Sequence, residues 1–280
     1  MIYTVLLFTA VLAVSSAAIF AFLASAPGVV AAFWRLAISI PILILIYRPR
    51  RIHLSAMPIL AGFALALHFS FWIESLFHAS IAVSTTIVCT HSLFSGLFAY
   101  LWGEKPRKNQ IIGVLIAMTG VYFLSGADTR TDSYGIIFAL VGAVAGGYYF
   151  ASARFARNID FPSYILVTYS SAAIFAFIAC LFTSTPIFGY PPRTWIFFGL
   201  LALIPMLIGH TLLNYVLRKM EVLPVTASVI GEAVGAAILA AIFLNQTLSA
   251  DAYIYMAVIL SGIGVTFLKP SASTVNYGDG

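Results

Sequence analysis

The sequence predicts an all-α polytopic membrane protein with ten transmembrane helices arranged as two inverted five-helix repeats, and three observations predict it. Hydrophobic residues make up 62% of the chain and charged residues only 8%, with a mean hydropathy of +1.04. Soluble domains carry roughly 25% charged residues, so this chain cannot solvate a globular surface. Apolar runs recur that are long enough to cross a hydrocarbon core of about 30 Å. The stretch 71–124 also returns at 215–268, about half the chain later. Each copy holds a long apolar helix with one ionisable side chain near its middle. A polar turn and a Gly-bearing helix follow, ending in GVYFL or GVTFL. In a membrane protein such duplication points to a transporter built from two related halves.

Taken in order, the predicted spans are 2–24, 27–47, 57–77, 81–102, 109–125, 133–155, 162–183, 194–217, 222–244 and 251–268. Pro27, Pro162 and Pro224 fall within first helical turns, where a missing N–H costs nothing. Several connections are only a few residues long, so the helices they join are antiparallel neighbours. The repeats are assigned to 1–126 and 133–269, with 270–280 a polar tail predicted to be disordered and cytoplasmic. The apolar start lacks the basic flank of a secretory signal and reads as a first transmembrane helix. Cys89 and Cys180 lie inside apolar runs and read as small buried hydrophobes.

Orientation follows from the basic residues. With the N-terminus inside, the inner loops and tail carry Arg48, Arg50, Arg51, Lys105, Arg107, Lys108, Arg154, Arg157, Arg218, Lys219 and Lys269. The outer loops carry only Arg130 and Arg193. That bias places both termini in the cytoplasm of an inner (plasma) membrane protein. Five spans per half then make the repeat inverted. The basic turn at Glu104–Lys108 answers to the uncharged turn Asn245-Gln246-Thr247-Leu248-Ser249. The net charge of +5 is thus a topology signal, and no nucleic-acid partner is implied.

Three stretches carry a resemblance to a known family. They are Pro27-Gly28-Val29-Val30-Ala31-Ala32-Phe33-Trp34-Arg35-Leu36-Ala37, then Gly103-Glu104 with Gly113 and Gly120-Val121, then Pro224 and Glu232 with the 262–265 stretch. Together they resemble the ten-helix EamA-type exporters of the drug/metabolite transporter superfamily, over residues 2–268. The chain departs from that pattern at Ser92 and Ala233, where the family usually has the prolines that kink these helices. It departs again at Asn245-Gln246, where the family has Gly-Glu. The resemblance implies a central cavity built from helices 1, 3, 4, 6, 8 and 9, buttressed by helices 5 and 10. It also implies export of amino acids or related metabolites, with aromatic amino acids as a refinement.

Ionisable groups inside a membrane are costly and serve as functional hypotheses. Glu232, flanked by Gly231 and Gly235, reads either as a structural carboxylate bonded to a neighbouring helix or as a substrate-amine or proton site. His91 shares a helical stripe with Ser84 and Ser95. His68 and Trp72 are four residues apart, as are His210 and Asn214. These residues, with Ser228, read either as interhelical hydrogen-bonding groups or as the lining of a solute cavity. Tyr148 and Tyr149, beside Gly146-Gly147, read as core packing or as a wall for flat solutes. Arg35 and Glu74 are expected to pair, as a structural ion pair or an outer gate. No two of these histidines share an i,i+3 or i,i+4 spacing, so no metal site is predicted, and no cofactor.

The sequence shows no GxxxxGK[ST] loop, so ATP-driven pumping is not expected. No HExxH or nucleophile elbow appears, and the chain is not read as an enzyme. The expected function is secondary-active export of a small-molecule solute across the bilayer, with a proton as candidate coupling ion. A divalent-cation transporter or channel and, further off, a membrane-embedded enzyme are the rival readings.

Overall fold

The protein is described here from a computed structural model over residues 1–49, 52–79, 81–125, 132–243 and 249–268. Arg50, Arg51, Arg130, Lys269, the Asn245–Leu248 part of the uncharged turn and the predicted tail at 270–280 lie outside the described residues. Among the described residues the chain makes ten helical passes. They are α1 (Ile2–Ala24), α2 (Gly28–Tyr47), α3 (Ala56–His78), α4 (81–101), α5 (Lys108–Ser125), α6 (Ser133–Phe155), α7 (Phe161–Phe182), α8 (Pro192–Leu217), α9 (222–243) and α10 (Ala250–Thr266). Seven of them are long and apolar enough to cross a membrane by length and composition. α5 and α10 are shorter apolar helices, and α4 is interrupted.

Short polar side chains start several of these helices. Asp132 caps α6 by accepting from the Gly135 N–H at 2.8 Å, and Asp160 caps α7 by accepting from Ser163 at 2.9 Å. The Asp132 carboxyl sits below the usual carboxylate range, because the Gly135 N–H and the His78 ring both favour its charged form. α2 uses a distant residue instead: the Gly28 N–H donates to the Glu74 carboxylate on α3 at 2.8 Å. Helix and acceptor meet because Gly28 has no Cβ. One built there would stand 2.1 Å from the Ser70 carbonyl oxygen.

Small residues set the close crossings elsewhere too. A Cβ on Gly62 would reach the Thr168 carbonyl of α7 at 2.5 Å, and one on Gly262 of α10 would reach the Ala117 nitrogen of α5 at 2.4 Å. Two apolar cores result. The larger runs through α1 to α4 and α6 to α9, around Phe69, Tyr149, Phe150, Tyr164 and Tyr169. The smaller joins Cys89 of α4 to Val114 and Ala117 of α5, Ile230 of α9 and Ile259 of α10. Large apolar side chains such as Phe8, Leu45, Ile137, Ile174 and Leu181 are exposed, as helices bathed in lipid require.

The passes agree with the predicted spans to within a few residues, but four are not continuous α-helices. α1 breaks at Ser15–Ser16, α4 at Cys89–Thr90 and α9 at Ile230–Gly231. Each break is bridged by shorter i to i−3 bonds, such as Ser16 to Ala13, Leu93 to Thr90 and Ala233 to Ile230. Backbone groups therefore stay paired although the axis bends. No proline sits at these breaks. In α8 the middle turns, Ala202–His210, widen into a π-helix containing Pro205. A proline lacks a donor and crowds the preceding turn, and the wider winding accommodates it. Thr211 ties into the wide turn: its backbone N–H and its Oγ1 both donate to the Met206 carbonyl, the hydroxyl at 3.2 Å.

Candidate functional site

The breaks position the site. A cavity lies among Val14 and Ala17 on either side of the α1 break, Val88 and His91 across the α4 break, and Val229 and Glu232 across the α9 break. His68 and Trp72 of α3, Phe150 of α6 and His210 of α8 complete its wall. These are the six helices that the family resemblance implies, and α5 and α10 contribute no lining residue.

The chemistry is concentrated. One carboxylate, three imidazoles and an indole face a space of about 20 Å³, enough for a water-sized molecule. His68, Trp72, His91 and His210 are each no more than 5% exposed, so this conformation is closed around the site. The His68 Nδ1 lies 2.8 Å from the Gly142 carbonyl, which only accepts, so Nδ1 carries the proton and Nε2 is the free nitrogen. Trp72 Nε1, His91 Nδ1 and His210 Nδ1 have no hydrogen-bond partner among the described residues. Rings close the walls. His68 stacks with Trp72 at 6.1 Å between centroids, His210 stacks with Phe150 at 5.8 Å, and His91 tilts against Phe150 at 5.1 Å.

Five of the residues singled out by sequence thus meet: His68, Trp72, His91, His210 and Glu232. Tyr149 and Asn214 stand one layer behind. The Asn214 amide donates to the Tyr149 hydroxyl and, at 2.6 Å, to the His210 carbonyl, which orders the turn carrying His210. Ser84 does not reach the cavity. It donates to Ser75 Oγ at 2.5 Å, and Ser75 in turn donates to the Trp72 carbonyl at 2.6 Å. Ser228 donates to Pro224 within its own helix at 2.8 Å. Tyr148 points the other way, into an apolar groove with Phe63, Leu67 and Phe98.

The expected Arg35–Glu74 pair does not form. Glu74 is occupied at the α2 N-terminus, and the Arg35 guanidinium lies 3.7 Å over the Phe69 ring. Long side chains can bridge the difference in depth between the two, but here the Gly28 N–H, an orphan donor at the start of α2, takes the carboxylate instead. Phe150, Phe69 and the α1 break were not singled out as site features. Phe150 ends the Gly146-Gly147-Tyr148-Tyr149-Phe150 run, and the two glycines are the signal that could have found it. A Cβ on Gly146 would stand 2.6 Å from His68 Nδ1, so this glycine makes room for the ring.

At both ends of the bundle, polar contacts join the N-terminal half to the C-terminal half. At the basic end, Glu104 accepts from Arg154 Nε at 2.9 Å and from the Val222 N–H at 2.7 Å, while Arg107 pairs with Glu221 at 2.6 Å. At the other end, Trp34 Nε1 donates to the Ile187 carbonyl at 2.8 Å and Thr194 to the Ala24 carbonyl at 2.8 Å.

A chain of known crystal structure superposes with a TM-score of 0.80 at 19% sequence identity, covering 95% of this chain and 97% of that one; the likeness is of fold. Among curated proteins, the "Uncharacterized inner membrane transporter YedA" of Escherichia coli (strain K12) is 24% identical over 195 residues, as are its counterparts in strains O6:H1 and O157:H7. Those matches cover 65% of this chain and span 60% of the relatives' own length. Residues 1–126 and again 133–268 match the EamA-like transporter family, nearly the whole chain, and the protein belongs to that family.

Proposed function

We propose that this transporter is a secondary-active exporter of small organic solutes, amino acids or related metabolites, in the inner membrane with both termini cytoplasmic. Aromatic amino acids are the narrower reading, in keeping with the ring-walled cavity. The observation that carries the proposal is the meeting of Glu232, three histidines and Trp72 at the point where α1, α4 and α9 all break. Discontinuous helices meeting at mid-membrane are how many transporters build a solute site. The 20 Å³ space is too small for an amino acid, so the solute must enter by parting of the helices at one end. Inverted halves supply such a motion, since exchanging the conformations of the halves moves the opening from one face to the other. Glu232 takes the solute's amine or a proton, and the histidines and Trp72 orient the rest.

Counterflow of labelled amino acids in proteoliposomes tests this, comparing wild type with Glu232→Gln at two pH values. Saturable exchange that falls in the variant and shifts with pH supports the role given to Glu232. Equal exchange by both proteins makes Glu232 a packing residue. No exchange of any amino acid by the wild type sinks the solute class, and a wider panel of drugs, metabolites and cations follows.

A further inference from the structure

Arg35 is fully buried, and none of its three guanidinium nitrogens has a hydrogen-bond acceptor among the described residues. A guanidinium stays charged and presents five donors in a rigid fork. Leaving it unmatched inside a membrane protein is among the most costly arrangements a sequence can keep. Its face rests on Phe69, whose centroid lies 4.9 Å from that of the near-perpendicular His210 ring and 5.2 Å from that of His68. His68 and His210 both line the cavity, so the fork stands one aromatic ring behind its wall. It is also within electrostatic reach of His68, His210 and Glu232.

The unmet groups around the cavity are skewed toward donors. The Trp72 indole N–H, which can only donate, is also without an acceptor. Glu232 is the one carboxylate on the wall, and Glu74 is held at the α2 N-terminus. We infer that Arg35 is the anion-recognition residue of this site, and that the transported solute carries a carboxylate. The fork reaches that carboxylate as Phe69 shifts aside when the cavity opens, and Trp72 adds a further donor. Glu232 of α9 then takes a cationic group, so the site suits a zwitterion. This rests on the cavity being the solute site, as proposed above.

The test separates the two ideas. Full-length protein is screened by thermal shift and counterflow inhibition with L-amino acids. The best-bound one is then compared with its amide, which keeps the amine, and with its deaminated acid, which keeps the carboxylate. A charge-assisted, two-pronged contact makes the parent amino acid bind about 10- to 100-fold more tightly than the amide. In Arg35→Gln the ratio is expected to fall to about one, and a purely structural role for Arg35 would lower stability without moving the ratio. If Arg35→Gln does not accumulate, Arg35→Lys keeps the charge without the fork, and its ratio is expected to fall several-fold. An amide bound as well as the parent amino acid, or a ratio unchanged in whichever variant folds, overturns the inference and leaves transport intact. Exchange confined to amines or neutral solutes does the same, and no binding by any solute overturns both.

Discussion

The two halves are latched at the basic end by Glu104, and the strength of that latch can be worked from its contacts. One carboxylate oxygen accepts from Arg154 Nε at 2.9 Å and the other from the Val222 N–H at 2.7 Å. Glu104→Gln keeps an oxygen for Val222 and removes only the charge facing Arg154. The Glu104 and Arg154 side chains are 21% and 18% exposed, so the pair is partly screened by solvent. A charge-assisted hydrogen bond contributes about 1.5–3 kcal/mol, and the lower end applies here. Losing about 1.4 kcal/mol shifts a closed-to-open equilibrium tenfold. Thr226 reports on it, being fully buried one turn into α9 and 3.2 Å from Ser92 of α4. With Cys89→Ala and Cys180→Ala as background, Thr226→Cys is labelled by a soluble maleimide in detergent. The rate follows the open fraction when reclosure is fast. Glu104→Gln should raise that rate about tenfold, and Arg154→Gln similarly. Glu104→Gln/Arg154→Gln should exceed neither single variant by much, since both remove one interaction. Unchanged labelling, or effects that simply add in the double variant, would refute the latch.

Three further outcomes follow from the packing and the caps. Gly262→Ala places a methyl 2.4 Å from the Ala117 nitrogen and should cost about 1–3 kcal/mol of stability in a detergent melt, whereas Gly264→Ala, with open space around it, should cost nothing. Gly146→Ala drives a methyl onto His68 and breaks its bond to Gly142, so counterflow should fall by more than the loss of melting temperature explains. Asp132 is held below the usual carboxylate range by the Gly135 N–H and His78, so its contribution is present at neutral pH and lost as pH falls through its lowered folded value. Asp132→Asn, which still caps α6, should therefore flatten the acid side of a melting-temperature profile.

Much of this protein is legible because a membrane leaves the chain few choices. Every span must be apolar and every backbone group paired, so hydropathy alone places ten passes to within a few residues. The same rule exposes His68, His91, His210 and Glu232, since an ionisable residue in an apolar run stands out against its neighbours. What composition cannot show is where such a residue points. Tyr148 and Tyr149 are adjacent in sequence, yet one lines an outer groove and the other lies buried beside Asn214. Ser84 shares a helical stripe with His91 only if α4 is straight, and the break at Cys89–Thr90 removes that condition. Arg35 and Glu74 are opposite charges at different depths, and a free N–H at Gly28 was the closer claim on the carboxylate.

The breaks themselves explain why the polar residues converge. In α4, eight helical residues from Ile81 to Val88 precede a two-residue turn, and His91 opens the next segment. In α9, eight from Val222 to Val229 precede a two-residue turn, and Glu232 opens the next segment. The two helices lie in the two segments, 1–126 and 133–268, that each match the family. One break thus offers the cavity a carboxyl group and the other an imidazole. Exchanging them, as His91→Glu with Glu232→His, places a carboxyl at the α4 break in place of the α9 break. If position relative to Arg35 matters, exchange of the best solute should be lost; if a carboxylate anywhere on the wall suffices, it should survive.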